Sequence, residues 1–394
     1  VPLEGFDVLA EHRSELGLLL WHSCRDVALW GAANSPADAL FAAAAAERRA
    51  GLLRRVEVEA ELQGPLAVFA ALLGGKGAVD VPRLVHACRR VARWAEGQGK
   101  LGTAVEFLHA AVSAAPTDAS LAVQIGRLSR MRAQYDKAEL WFRDAVARAR
   151  QQRDWQAYAE GAAGLGNLYV QKGNFPQARR FHRKCLRAAL RHGLREMQGA
   201  AWHNLFGIAV ECGETERAAG YAARALRAYP PGSAGLPRLS LDLSYHWIVQ
   251  GHFGAALSLL RATLPHIAHP GVRATALANL ARAAGGAGDA EGFERAWSQV
   301  WAMVEGGSAE DGAARALLDL AHGATALARW GHARRAAEAA LETARRRDEG
   351  KVALEAESVL ETVRTRVPPR PRPAPDAANA STLAGRFALA LRHG

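Results

Sequence analysis

Gly164-Leu165-Gly166-Asn167-Leu168-Tyr169, followed by Gly173-Asn174-Phe175 and then Ala178, is the stretch that decides the fold. It describes one helix rich in small residues, a turn whose glycine tolerates a left-handed backbone, and a second helix entered through an aromatic residue and an alanine. Outward from it the same arrangement recurs. Alanines 104, 138, 178, 218 and 256 stand 34, 40, 40 and 38 residues apart. A small or turn-forming pair precedes each one: Gly99-Lys100, Ala133-Gln134, Gly173-Asn174, Gly213-Glu214 and Gly251-His252. An apolar pair closes each unit: Ala111-Val112, Ala145-Val146, Cys185-Leu186, Ala225-Leu226 and Thr263-Leu264. A unit of this length cannot bury its apolar face alone, so neighbours must stack into a continuous core.

The second copy adds Ile125-Gly126, Tyr135-Asp136, Phe142 and Ala145, and the fourth adds Trp202, Leu205, Leu226 and Pro230. Two weaker copies follow. In one, Gly288-Asp289 precedes Phe293, which stands where the small residue should be; in the other, Gly331-His332 precedes Ala336. With these anchors the chain resembles the tetratricopeptide repeat (TPR), in a bacterial protein with longer-than-usual repeats. The resemblance covers about three quarters of the chain. It implies an all-α superhelix of stacked helical hairpins, with the first helix of each pair lining a concave groove. Intervals near 40 predict longer helices than the family's usual ones.

Around the repeats the chain divides into a helical region over 1–75, the solenoid over 76–366 with a capping helix near 350–366, and a Pro/Arg-rich tail over 367–394. Ser35-Pro36-Ala37-Asp38 reads as a helix start after a break at Gly31–Pro36. Gly74-Gly75-Lys76-Gly77 resembles a phosphate loop, but it lacks the leading glycine and the closing Ser/Thr, and no strand precedes it. In the tail, Pro368-Pro369-Arg370-Pro371-Arg372-Pro373-Ala374-Pro375 predicts an extended linker. Leu383, Phe387 and Leu391 form a short apolar stripe beyond it, expected to be disordered in isolation because so short a helix is marginal in water.

The four cysteines, Cys24, Cys88, Cys185 and Cys212, form no Cys-x-x-Cys pair and read as reduced packing residues. Leu16–Trp21 is too short to span a bilayer, and no secretory signal pattern opens the chain; the expectation is a cytoplasmic protein with no membrane contact. Catalytic motifs are missing from the sequence: it has no His-Glu-x-x-His and no Gly-x-Ser-x-Gly. His266 and His269 have helical ligand spacing but no third ligand nearby, and Pro270 follows. The reading is a non-enzymatic chain with no cofactor and no metal.

What remains is binding. On the first helices, the face opposite the apolar stripe carries His86, Arg89 and Arg93, then Arg127 and Arg130, then Asn167, then His203 and Asn204. Such a groove suits a protein or peptide segment with acidic or carboxylate groups, since guanidinium forks pair with carboxylates. Charge reversal at Arg89 and Arg127 is expected to weaken binding and leave helicity intact. A second feature lies on the second helix of the third copy, where Arg180, Arg183, Lys184, Arg187 and Arg191 form one stripe. Residues 125–195 hold 16 Lys/Arg against 5 Asp/Glu, which equals the net charge of the whole chain, +11. That concentration is the footprint of an acidic or phosphate-bearing partner. The adaptor function therefore has two alternatives, a nucleic-acid-associated protein using this ridge and the sensor module of a peptide-responsive regulator.

Overall fold

The computed structural model describes residues 6–33, 40–74, 80–307, 312–367 and 377–392, and every regular element among them is helical. The break expected at Gly31–Pro36 does not begin at Gly31, since a helix continues to Ala33; 34–38, the loop at 75–77 and the proline run at 368–375 lie outside these residues. The chain is divided into two compact units, Val1–Met197 and Gln198–Gly394.

The first unit opens with α1 (Phe6–Glu11), α2 (Glu15–Ala33), α3 (Ala43–Arg55) and α4 (Ala60–Leu73). Three hairpins follow: α5 (Val81–Gly97) with α6 (Leu101–Ala114), α7 (Ala119–Met131) with α8 (Tyr135–Gln152), and α9 (Trp155–Gln171) with α10 (Phe175–Arg191). The four opening helices share one core with the first repeats, in which Leu20, Cys24, Leu62 and Phe69 are buried with Leu84, Cys88, Phe107 and Leu121. Glu11 fixes the docking. Its carboxylate accepts from the Gly102 and Thr103 amides at 2.9 and 2.7 Å, supplying the acceptor that the orphan donors at the start of α6 need.

Two of the first-helix glycines have a steric cause. Phe142 of α8 lies where side chains at 126 and 164 would be: a Cβ on Gly126 would meet its ring at 2.8 Å and one on Gly164 at 2.2 Å. Two first helices thus lose a side chain so that one second-helix aromatic can be buried between them, a trade that keeps the interior at close-packed density.

The second unit contains α11 (Arg195–Glu211), in whose first turn the division falls, and α12 (Thr215–Ala228). Then come α13 (Gly235–Gln250) with α14 (Phe253–Thr263), α15 (Pro270–Ala287) with α16 (Ala290–Glu305), α17 (Ala313–Ala326) with α18 (Trp330–Arg346), and α19 (Gly350–Thr365). One apolar core runs from Phe206 to Leu391.

The repeat is stricter than the sequence spacing shows. Gly99, Ala133, Gly173, Gly213, Gly251, Gly288 and Ala328 all have positive φ. Five residues after each stands Ala104, Ala138, Ala178, Ala218, Ala256, Phe293 or Ala333, every one fully buried. The last copy therefore needs correction. Its turn is Ala328-Arg329, not Gly331-His332, and the small residue five after that turn is Ala333, with Ala336, also fully buried, one turn further on. Gly331 lies within α18. The long intervals come from helix length. α9, α10 and α11 have 17 residues each, against 14 in α6 and 13 in α7.

Two further differences stand out. Cys24, Cys88 and Cys185 are buried, and burial pushes the thiols of the last two up to about 12, but Cys212 is exposed at a turn and packs nothing. The apolar stripe of the tail, expected to be disordered in isolation, is folded against the solenoid. Residues Ala377–Arg392 form α20, which packs along α14 and also touches α12 and α13. Its buried stripe is Ala380, Ala384, Phe387 and Leu391, with Leu383 only partly covered. A helix of this length gains its stability from that apolar burial rather than from propensity.

Candidate functional site

In the first unit, the face formed by α5, α7 and α9 carries the expected cations, but two of them are engaged between repeats. Asp118 caps α7 by accepting from the Ser120 and Leu121 amides, and its second oxygen accepts from Arg89 of α5 at 2.7 Å. Arg89 also donates to the Ser120 hydroxyl. Arg127 of α7 reaches back to α5 and forks onto Glu96 at 2.5 and 2.6 Å. Arg127's hydrogen bonds hold the Glu96 carboxyl below its ordinary range, and the same bonds raise the guanidinium. The charges read as ligand-facing therefore tie one first helix to the next. His86 and Arg93 are exposed and have no ion pair among the described residues. Arg130 and Asn167 are half-buried on α7 and α9.

Between α8 and α9 of this unit sits a polar cluster the sequence reading did not find. Glu139 accepts from Tyr169 at 2.8 Å, Arg143 at 2.8 Å and Lys172 at 3.2 Å. Burial would raise the Glu139 carboxyl, but those three hydrogen bonds outweigh it and hold the pKa at about 2. The tyrosine of the repeat signature is thus an inter-helix tie.

In the second unit, His203 of α11 lies between two partners. Its Nε2 donates to Asp242 of α13 at 2.7 Å, and Nδ1 faces the Tyr229 hydroxyl at 3.4 Å. Asn204 is half-buried beside it. Further along lies a larger network. Arg282 of α15 donates to Asp319 of α17 at 2.7 Å, and Asp319 is 1% exposed. Arg315 lies 3.5 Å from the same carboxylate, donates to Glu355 of α19 at 2.9 Å, and reaches the Tyr245 hydroxyl of α13. Both guanidiniums approach the Tyr245 ring, at 5.9 and 5.2 Å. His322 is one turn from Asp319; burial first, then the nearby Arg282 and Arg315, pull its pKa down to about 3.

A positional signal could have found this network. Arg93, Arg127, Asn167, Tyr245, Arg282 and His322 all stand six residues before the positive-φ residue that ends their helix. Six of the seven repeats therefore offer one polar side chain at the same place; the fourth has Gly207 there. The reading from sequence followed this face only as far as the fourth copy.

The basic ridge has a different character. Arg180, Arg183, Arg187 and Arg191 of α10 are exposed, and none has an ion pair among the described residues. Lys184 lies 5.0 Å from the Phe181 ring centroid. Burial and the adjacent positive charges of Arg180, Arg187 and Arg143 lower its pKa. By contrast α8, the second helix one repeat earlier, pairs Arg143 with Glu139 and Arg148 with Asp144 one turn back.

Among the described residues no three His, Cys, Asp or Glu side chains come together as a metal site, and no helix is long and apolar enough to cross a membrane. No family model and no curated protein matches the sequence. Among solved structures, the chain is similar to BtubC from P. vanneervenii at 20% identity, over 58% of this chain and 92% of that one, with a TM-score of 0.43. It is similar to the TPR2AB domain of yeast Sti1 in complex with pHSP90 at 14% identity, over 72% and 99%, with a TM-score of 0.31. A signal-transduction ATPase with a tetratricopeptide repeat sensor from Pyrococcus horikoshii gives 13% identity, 82% and 43% coverage and a TM-score of 0.44.

Proposed function

We propose that the chain is a non-enzymatic interaction module that holds an extended protein or peptide segment along the first-helix face of its hairpins, with an acidic side chain or terminal carboxylate facing the first unit. The observation that carries this reading is the pair of exposed side chains on α5, His86 and Arg93, which have no ion pair among the described residues. A guanidinium presented without a carboxylate favours one from a ligand, and hydrogen bonds to charged groups contribute roughly 1.5–3 kcal/mol. Arg130 and Asn167 supply further contacts along the same unit. Arg89 and Arg127 act as positioning residues, since their charges set the spacing of α5 and α7. In the second unit His203 and Asn204 serve the corresponding role beside Asp242.

The test is selection from a peptide library of varied C-termini, followed by affinity measurement with Arg93→Glu and Asn167→Ala. We expect acidic or carboxylate-terminated segments, and a loss of at least tenfold for Arg93→Glu with the helical circular dichroism unchanged. Affinity insensitive to both substitutions would remove the face from the function. Charge reversal at Arg89 or Arg127 no longer isolates binding, because it also opposes Asp118 or Glu96 across a repeat boundary.

A further inference from the structure

We propose that α10 is a phosphate-binding ridge, one that takes the backbone of a nucleic acid without reading its sequence. The helix Phe175–Arg191 contains six basic residues and no acidic one. Four of its guanidiniums, on Arg180, Arg183, Arg187 and Arg191, are exposed and lack any ion pair among the described residues. At 1.5 Å per residue they form a row roughly 16 Å long on one face. Several other surface arginines are neutralised close by, Arg143 by Glu139, Arg148 by Asp144, Arg295 by Glu291 and Arg345 by Glu357, whereas on this helix four in a row are not. The ridge is an accumulation of charge that its own fold leaves uncompensated.

A phosphate backbone fits this surface better than an acidic protein does. Protein interfaces take most of their energy from buried apolar or aromatic anchors inside a polar rim. On α10 the one large apolar side chain exposed is Leu190, at the C-terminal end of the row, and Phe181 is buried. A contact made by charge alone, through planar donors that match phosphate oxygens, is characteristic of backbone binding. With no aromatic exposed along the row, there is no platform on which a base could stack. The contact is therefore blind to base identity and steeply dependent on salt.

The experiment uses the full chain and a fluorescent mixed-sequence duplex, with affinity followed from 50 to 200 mM salt. Four phosphate contacts give a slope of log K against log salt of roughly −3.6, at 0.9 per contact. The double variant Arg183→Gln/Arg187→Gln should flatten that slope by about 2. The control Arg295→Gln/Arg335→Gln removes the same charge from the other unit and should leave it unchanged. Since Arg183 and Arg187 have no ion pair among the described residues, circular dichroism of the variant should match the parent. Polyglutamate serves as the protein-like rival. The proposal is overturned by absence of duplex binding at 50 mM salt, by equal flattening in the control, or by polyglutamate binding tighter than the duplex at equal salt.

Discussion

The two units are closed and tied in contrasting ways. The first is completed by helices that precede its repeats, with α1 and α2 against α6 and Glu11 on its N-terminus; the second is completed by a helix that follows them, with α20 laid along α14. Their first-helix faces differ too. Arg89–Asp118 and Arg127–Glu96 are partly solvated pairs, whereas Arg282 and Arg315 converge on a carboxylate that is 1% exposed. Repeats of one pattern can thus be held by electrostatics of very different strength, because burial of the acidic partner sets what each pair contributes.

The sharpest way to break this contrast is at α20. Phe387→Ala removes a fully buried aromatic and should cost about 3–5 kcal/mol. Segment-resolved hydrogen exchange should then show protection lost over 253–263 while 155–191 is unchanged. Unchanged protection in α14 would mean that α20 is peripheral to the second unit.

Acid should weaken the first unit next, through one buried imidazole. His182 is fully buried under Gly166, neither ring nitrogen has a partner among the described residues, and burial pulls its pKa down to about 4. The unfolded ring takes its proton near 6.5 and the folded ring only near 4, so this contribution is complete above pH 6.5 and is lost as pH falls toward 4. The expected loss is about 3 kcal/mol. Denaturant titrations of His182→Leu across that window should give a flatter profile than the parent; parallel profiles would show that His182 does not carry the acid sensitivity.

The ion pairs themselves supply a third comparison. Asp319→Asn should cost about 2–3 kcal/mol, below a fully enclosed pair because both guanidiniums keep some contact with water. Arg89→Ala should cost at most about 1 kcal/mol. Equal losses in denaturant unfolding would erase the distinction drawn between the two faces. The smallest effect should come from the turns where alanine has positive φ. Ala133→Gly and Ala328→Gly, one in each unit, should each stabilise by roughly 1 kcal/mol, read as a small rise in Tm. A fall at either position would show that the turn is not strained.

The hairpins were legible because stacking forces the same small residue and the same left-handed turn to recur. The turns at 99, 133, 173, 213 and 251 all lie where glycine or alanine marked them. Register slipped only in the last copy, where Gly331 lies in a helix while Ala328 bears the positive φ without advertising it. Phe293 shows the opposite case, a bulky residue at the small position that is nonetheless fully buried. The polar ties were less legible. Whether an arginine faces solvent or a carboxylate one repeat away depends on helix rotation, and helical offset alone does not distinguish Arg93 from Arg127. Asp319 reads as a surface acid until α15 and α17 are seen to approach so closely that a Cβ on Gly285 would lie 2.3 Å from the Gly323 carbonyl oxygen. The ridge on α10 could be seen in sequence as a count of charges, and only the structure shows that Arg180, Arg183, Arg187 and Arg191 have no ion pair among the described residues.

The return of α20 to α14 also bears on the order in which the second unit assembles. An open array of repeats can nucleate anywhere and grow by neighbour-to-neighbour contacts. Here the last helix docks across five intervening ones, raising the contact order of that half of the chain and delaying its final step. During synthesis from the N-terminus, α14 leaves the ribosome long before its covering helix exists, and Leu259 and Leu260 wait in a core whose last aromatic is still to be made. The first unit, closed by helices that precede its repeats in the chain, meets no such delay.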